Sequence, residues 1–296
     1  MPLRTRAELA LLGVAIIWGT TFVLVKNALE QVSTFLFLSM RFSVAALALF
    51  VLYRKAVRRD RMWPAVMAGG LLFIAYVFQT AGLETTTASK SAFLTGLSIP
   101  MVPLLSSLVY HNRPRAFEVA GILVATLGMG LMTLPPGRFD LSRGDFLSLL
   151  CAVAFALHIV VVGHYSSMIG FETLAVVQIG TAAILGWGTF RFAEHVRFEP
   201  TFAVWSAVLV CGIFATAVAF GTQAWAQQYT SATRAALIYS LEPVVAWVTS
   251  YLLLGEKLSQ RAVFGAFLIL GGILMVELKR GKGKEHQSDT ESAAAS

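Results

Sequence analysis

Hydrophobic residues fall in blocks of about twenty from one end of the chain to the other, separated by short polar stretches. The blocks run roughly 9–28, 34–53, 63–83, 87–110, 116–134, 145–165, 172–192, 202–225, 231–254 and 262–278. About twenty helical residues cross the roughly 30 Å of bilayer hydrocarbon. Lipid offers the backbone no hydrogen-bond partner, so each block predicts a helix. The pattern therefore predicts an all-α polytopic membrane protein with ten transmembrane helices. Its longest connections, 54–62, 135–144 and 192–201, leave no room for a soluble domain. Residues 1–8 form a short N-terminal segment, and the Ser- and Ala-rich tail 279–296 is expected to be disordered.

Composition agrees. The chain is 57% hydrophobic and 13% charged, with a mean hydropathy of +0.72. A soluble domain carries about 25% charged residues. The net charge of +7 does not point to nucleic acid, because the bases cluster at block ends and no solvated face interleaves them with aromatics. Cys151 and Cys211 both lie inside apolar blocks, which predicts buried free thiols and no metal site. The first block follows Arg4 and Arg6 as a signal peptide would, yet it is too long and lacks a small-residue cleavage site. It is expected to be retained. Cytoplasmic termini would place thirteen Lys and Arg on inner segments and six on outer loops, which favours that orientation in a cell (inner) membrane.

The chain also repeats itself. A shift of 137 sets Trp18 on Phe155 and Arg41 on Gln178. A shift of 144 sets Gln79 on Gln223, Lys90 on Arg234, Gly121 on Gly265 and Gly128 on Gly272. Around the prolines one residue slips, and Pro100 meets Pro243. Residues 9–134 and 145–278 then read as two five-helix repeats, joined by the loop 135–144. An odd number of spans inserts the two copies in opposite orientations, an architecture that suits a transporter.

Candidate chemistry gathers in the apolar blocks. Glu242-Pro243 falls at the middle of 231–254. Pro243 has no N–H for the carbonyl of Tyr239, so the helix should bend there. A mid-membrane carboxylate costs about 2.5–3.5 kcal/mol to insert and normally faces a cavity or the bundle interior. Glu242 shares a helical stripe with Tyr239, Ala246 and Thr249, and could bind a proton or a cationic amine, or simply hold the kink. Gln79 (with Tyr76) and Gln223 (with Thr216 and Phe220) would suit a polar, partly planar ligand, or serve as interhelical glue. Thr95, beside Ser91 and Ser98, divides in the same way between ligand contact and close helix packing. Trp18 and Thr21 share a face of the first helix at a depth unusual for an interfacial tryptophan, where core packing competes with a ligand role. His158 is the histidine well inside a block, a proton relay or a neutral, hydrogen-bonded core residue. Lys90 and Arg234 lie just inside their blocks at opposite ends, either gating the pathway or snorkelling to headgroups. Arg41 lies deeper and needs a carboxylate or helix carbonyls.

GVAIIWGTTFVLVKNAL (13–29) with Met40-Arg41-Phe42, and the stretch 231–276, resemble the EamA family of the drug/metabolite transporter superfamily. The resemblance covers about Glu8 to Leu278 and includes Trp18-Gly19, Arg41, Glu242-Pro243, Gly255-Glu256-Lys257 and Gly265. The first repeat departs from the pattern, with His111-Asn112-Arg113 where Gly255-Glu256-Lys257 would recur. The resemblance implies ten helices in inverted repeats, a central cavity and transport of small metabolites, often outward. It does not name a cargo.

Expected partners are the bilayer, a small-molecule substrate and protons as a coupling ion, with no cofactor. Small amphipathic metabolites such as amino acids or related nitrogenous compounds are the expected cargo, with efflux of toxic compounds as the alternative. No GxxxxGK[ST] is present for ATP-driven pumping. A membrane-embedded enzyme would want HExxH or a Ser/His/Asp set, and a sensor would want an extramembrane domain. Neither is visible.

Overall fold

A computed structural model describes residues 1–58, 62–86, 88–111, 114–134, 142–254 and 259–276. Among these the fold is all-helical, apart from a backbone bridge of Val32 with Phe198 between two loops. The helices are α1 Leu3–Leu29, α2 Thr34–Tyr53, α3 Trp63–Thr85, α4 Ala88–Gly96, α5 Ser98–Tyr110, α6 Ala116–Thr133, α7 Arg143–Ile169 and α8 Phe171–Ala193. They continue as α9 Phe202–Gly212, α10 Ala219–Ala226, α11 Ala232–Tyr239, α12 Glu242–Leu254 and α13 Gln260–Val276. Six described spans are long and apolar enough to cross a membrane: Thr34–Tyr53, Trp63–Thr85, Phe93–Tyr110, Arg143–Ile169, Phe171–Ala193 and Phe202–Ala226. Shorter apolar helices accompany them. Residues 3–8 belong to α1, because Arg4 and Glu8 pair across one turn (3.1 Å) and extend the helix beyond the apolar block. The loop stretch 135–141, the motif 255–258 and the tail from 277 lie outside the described residues.

Two apolar blocks are broken, and in both the cause is proline. Pro100 removes the donor for Gly96, and α4 ends at Gly96; Pro243 removes the donor for Tyr239, and α11 ends at Tyr239. The joints are superimposable in conformation. Leu97 and Ser240 both have φ −62° and ψ −10°, and each N–H reaches back to the carbonyl three residues earlier. A third irregularity carries no proline. Between α9 and α10 the chain widens into a π-turn, Ile213–Val218.

The helices pack through small residues, as membrane helices must where lipid removes any hydrophobic bias between them. At Gly121 an added Cβ would sit 2.7 Å from the carbonyl oxygen of Gly272, and Gly128 lies with equal intimacy against Gly265. Thus α6 and α13 run antiparallel, backbone on backbone. At Gly212 a Cβ would meet Val44 at 2.8 Å and the Arg41 carbonyl oxygen at 3.1 Å; Gly69 stands in the same way against Gln178. Shifts of 143 or 144 carry Gly69 to Gly212 and Gly121 to Gly265, while 137 carries Arg41 to Gln178. Each close contact therefore has a counterpart in the other half of the sequence.

Candidate functional site

The aromatic side chains of six helices meet in the middle of the bundle. Trp18 lies 5.2 Å from Phe220 and 5.1 Å from Tyr239, centroid to centroid. Tyr76 lies 5.4 Å from Phe42, 5.4 Å from Phe155 and 6.1 Å from Phe220. Edge-on geometries dominate, so positive ring edges meet negative faces. Trp18 and Phe155, matched by the first shift, occupy opposite parts of this cluster. Both remain partly accessible.

The π-turn supplies the polar anchor. A widened turn leaves carbonyls able to accept from outside the helix, and such turns recur at functional sites. Here the Ala215 carbonyl accepts from the Trp18 indole Nε1 at 2.9 Å and from Arg41 at 3.2 Å. The Arg41 Nε donates to Thr216 Oγ1 at 2.7 Å, and Thr216 donates in turn to the Cys211 carbonyl at 2.8 Å. A terminal nitrogen of Arg41 donates to the Tyr76 hydroxyl at 3.0 Å, and the guanidinium lies 4.6 Å from the ring centroid. Arg41 is 4% exposed. Its cation is held by hydroxyls, a carbonyl and a ring face. Among the described residues no carboxylate pairs with it.

Glu242 begins α12 immediately beyond the break. It is only partly buried, and it makes no hydrogen bond or ion pair among the described residues. The break has detached Tyr239 from the stripe expected for an unbroken helix, and its ring turns to Trp18 instead. Its hydroxyl is buried without a partner among the described residues. Gly19 explains how α1 comes so near, since a Cβ there would lie 2.8 Å from the Glu242 carbonyl oxygen.

The other candidates separate. Thr21 donates to the carbonyl of Trp18 at 3.0 Å, a bond within its own helix. Thr95 donates weakly to Cys151 Sγ at 3.8 Å, tying α4 to α7. Gln79 is partly buried and has no hydrogen bond among the described residues. Gln223 is 1% exposed; its Nε2 donates to Gln227 at 3.1 Å, and its Oε1 has no partner among the described residues. Gln227 then donates to the Ile159 carbonyl at 3.1 Å. His158 is buried, with Nε2 at 2.9 Å from Gln178 Oε1, and touches the aromatic cluster through Phe220 at 5.7 Å. Gln178 is the residue matched to Arg41, so one half of the molecule holds a cation where the other holds a neutral amide.

Arg234 does not snorkel. It is 7% exposed, its Nε donates to Glu118 Oε1 at 3.1 Å, and its NH1 lies 3.7 Å from Glu8 Oε1. The side chain of Lys90 lies outside the described residues. Glu8, Glu118 and Asp145 escaped the sequence reading because their partners are distant in the chain. The signal available was that Glu8 and Asp145 match under the 137 shift.

The EamA-like transporter family model matches residues 5–134 and again 142–278. The chain belongs to the EamA-like transporter family. A protein of Archaeoglobus fulgidus, named an uncharacterized transporter, is 36% identical over 93% of this chain and 87% of its own length. YoaV of Bacillus subtilis, also named an uncharacterized transporter, is 22% identical over 91% of this chain and 96% of its own. A crystal structure with 21% identity superimposes at a TM-score of 0.79 over 93% of this chain and 97% of that one, a likeness of fold. The EamA-family chain is therefore a multi-pass membrane protein of a transporter family.

Proposed function

We propose that this EamA-family protein is a secondary transporter that exports small amphipathic metabolites, amino acids or related nitrogenous compounds, by alternating access. The observation that carries the substrate class is Glu242. It is a carboxylate at a helix break, only partly buried and without a partner among the described residues, three positions after Tyr239, whose ring meets Trp18. An ammonium group suits such a place twice over, through the carboxylate and through cation–π contact with the rings. Across Tyr76 the fixed charge of Arg41 suits an anionic group at the far end of the same ligand. Rings between two opposite charges favour a zwitterion with an apolar body.

Alternating access rests on ten helices written as two inverted repeats, 9–134 and 145–278. The two family matches support this, and so do the paired proline breaks and the exchanged glycine contacts. Cytoplasmic termini in a cell (inner) membrane follow from the Lys and Arg distribution. Glu242 is also the group that would carry a coupling proton. The test is flux in proteoliposomes of purified protein, with a panel of amino acids and bulky organic amines, with and without a pH gradient. Saturable amino-acid flux driven by the gradient is expected. Flux confined to bulky amines would replace this reading with toxic-compound efflux, and no flux of either class would overturn it.

A further inference from the structure

The same small device stands at both ends of the bundle. At the end that carries the N-terminus, the Thr230 hydroxyl donates to Glu8 Oε1 at 3.3 Å, joining the start of α11 to α1. At the opposite end the Thr86 hydroxyl donates to Asp145 Oδ1, joining the end of α3 to the start of α7. The repeat offsets relate the two pairs residue by residue: 144 carries Thr86 to Thr230, and 137 carries Glu8 to Asp145. These are the offsets already set by Gln79 with Gln223 and by Trp18 with Phe155.

Each acid is also locked into its own surroundings. Glu8 receives Arg4 Nε at 3.1 Å from its own helix, while Arg234 of α11 stands 3.7 Å away across the same joint as Thr230. Asp145 accepts from the backbone N–H of Ser142 at 2.8 Å while its own N–H reaches Ser142 Oγ at 3.1 Å, a reciprocal helix cap. The acids are thus fixed points, and the threonines are the parts that can leave. Beyond the repeat, the first end has an addition. Arg234 bridges Glu8 to Glu118, and Glu118 caps α6 through the Arg115 N–H at 3.0 Å. Position 262, which matches Glu118, is Ala262.

We infer that Thr230–Glu8 and Thr86–Asp145 are two copies of one latch, released alternately, and that Arg234–Glu118 biases the carrier toward holding the N-terminal end shut. The inference rests on the inverted-repeat reading above. Opening one end requires α11 to part from α1, and opening the other requires α3 to part from α7. A latch built on a charge-assisted hydrogen bond adds enough to hold an end closed and little enough to break in each cycle.

The test uses the full chain with a reporter cysteine at Thr21, labelled by an impermeant maleimide in vesicles of both orientations. Cys151 and Cys211 are buried, so the chain without the reporter gives the background. Thr230→Val should quicken labelling from the N-terminal side by about tenfold, the loss of one such bond. Thr86→Val should do the same from the other side, and Glu118→Gln should act in the direction of Thr230→Val. Paired cysteines at 8 and 230, or at 86 and 145, should cross-link and fix labelling to the opposite side until reduced. The device is refuted if both valine variants shift labelling the same way, if neither shifts it, or if cross-linking leaves both sides accessible. These readouts need no substrate, so a failure to find flux in the wild-type chain would count against the proposed function and leave the latch to be judged by labelling.

Discussion

Helix α1 carries two glycines whose replacement by alanine should act in opposite senses. A Cβ at Gly13 would meet nothing within 4 Å, whereas at Gly19 it would lie 2.8 Å from the Glu242 carbonyl oxygen and 2.8 Å from Val245 Cβ. Relaxed carbon contacts are about 3.5–4.0 Å, so α1 would have to withdraw from the break by about 0.7–1.2 Å. Both replacements gain about 0.8–1 kcal/mol of helix propensity. Gly13→Ala keeps that gain. Gly19→Ala sets it against about 1–3 kcal/mol for overpacking, for a net loss of up to about 2 kcal/mol. Because propensity cancels between the two, their difference isolates the packing cost. Equilibrium unfolding of both variants in mixed detergent micelles measures it. The reasoning fails if Gly19→Ala proves as stable as Gly13→Ala, since the close seat of α1 against the Glu242 break would then have no energetic consequence.

Three further outcomes are expected. Glu242→Gln should fold and exchange substrate but lose flux driven by a pH gradient; flux with its pH profile intact would remove Glu242 as the coupling group. Arg41→Lys should lose about 1–3 kcal/mol in the same unfolding assay, because a point ammonium cannot serve Thr216, Tyr76 and Ala215 together as the guanidinium fork does. Single cysteines replacing Lys55 and Glu199 should label from opposite sides of the membrane, and labelling of both from one side would overturn the orientation drawn from the Lys and Arg distribution.

The helix breaks were legible because proline acts locally: a missing N–H at residue i strands the carbonyl at i−4 whatever surrounds it. The glycine seams were half legible. The repeat offset showed Gly121 and Gly265 to be equivalent, yet nothing in one dimension says that Gly121 meets Gly272. The π-turn left no trace, since Ile213–Val218 is free of proline and apolar but for Thr216, and its role appears only when Arg41 and Trp18 arrive at Ala215. For the same reason the sequence left the partner of Arg41 open. Arg234 illustrates the limit of pattern reading. A cation near a block end fits snorkelling well, and only the fold brings Glu118 and Glu8 from other helices to claim it. Gln223 shows the reverse, an amide that looked ligand-facing and spends its Nε2 on Gln227.

That no described acid pairs with Arg41 has a consequence for leakage. A carrier that opens a watery path to the middle of the bilayer risks conducting inorganic ions down their gradients. A guanidinium does not lose its proton under physiological conditions, and no described carboxylate neutralises this one. Its field in the low-dielectric core would oppose the entry of inorganic cations such as sodium and potassium. A substrate that brings its own negative group would be admitted past the same charge. The residue that anchors the π-turn would then also keep the carrier from behaving as a cation channel.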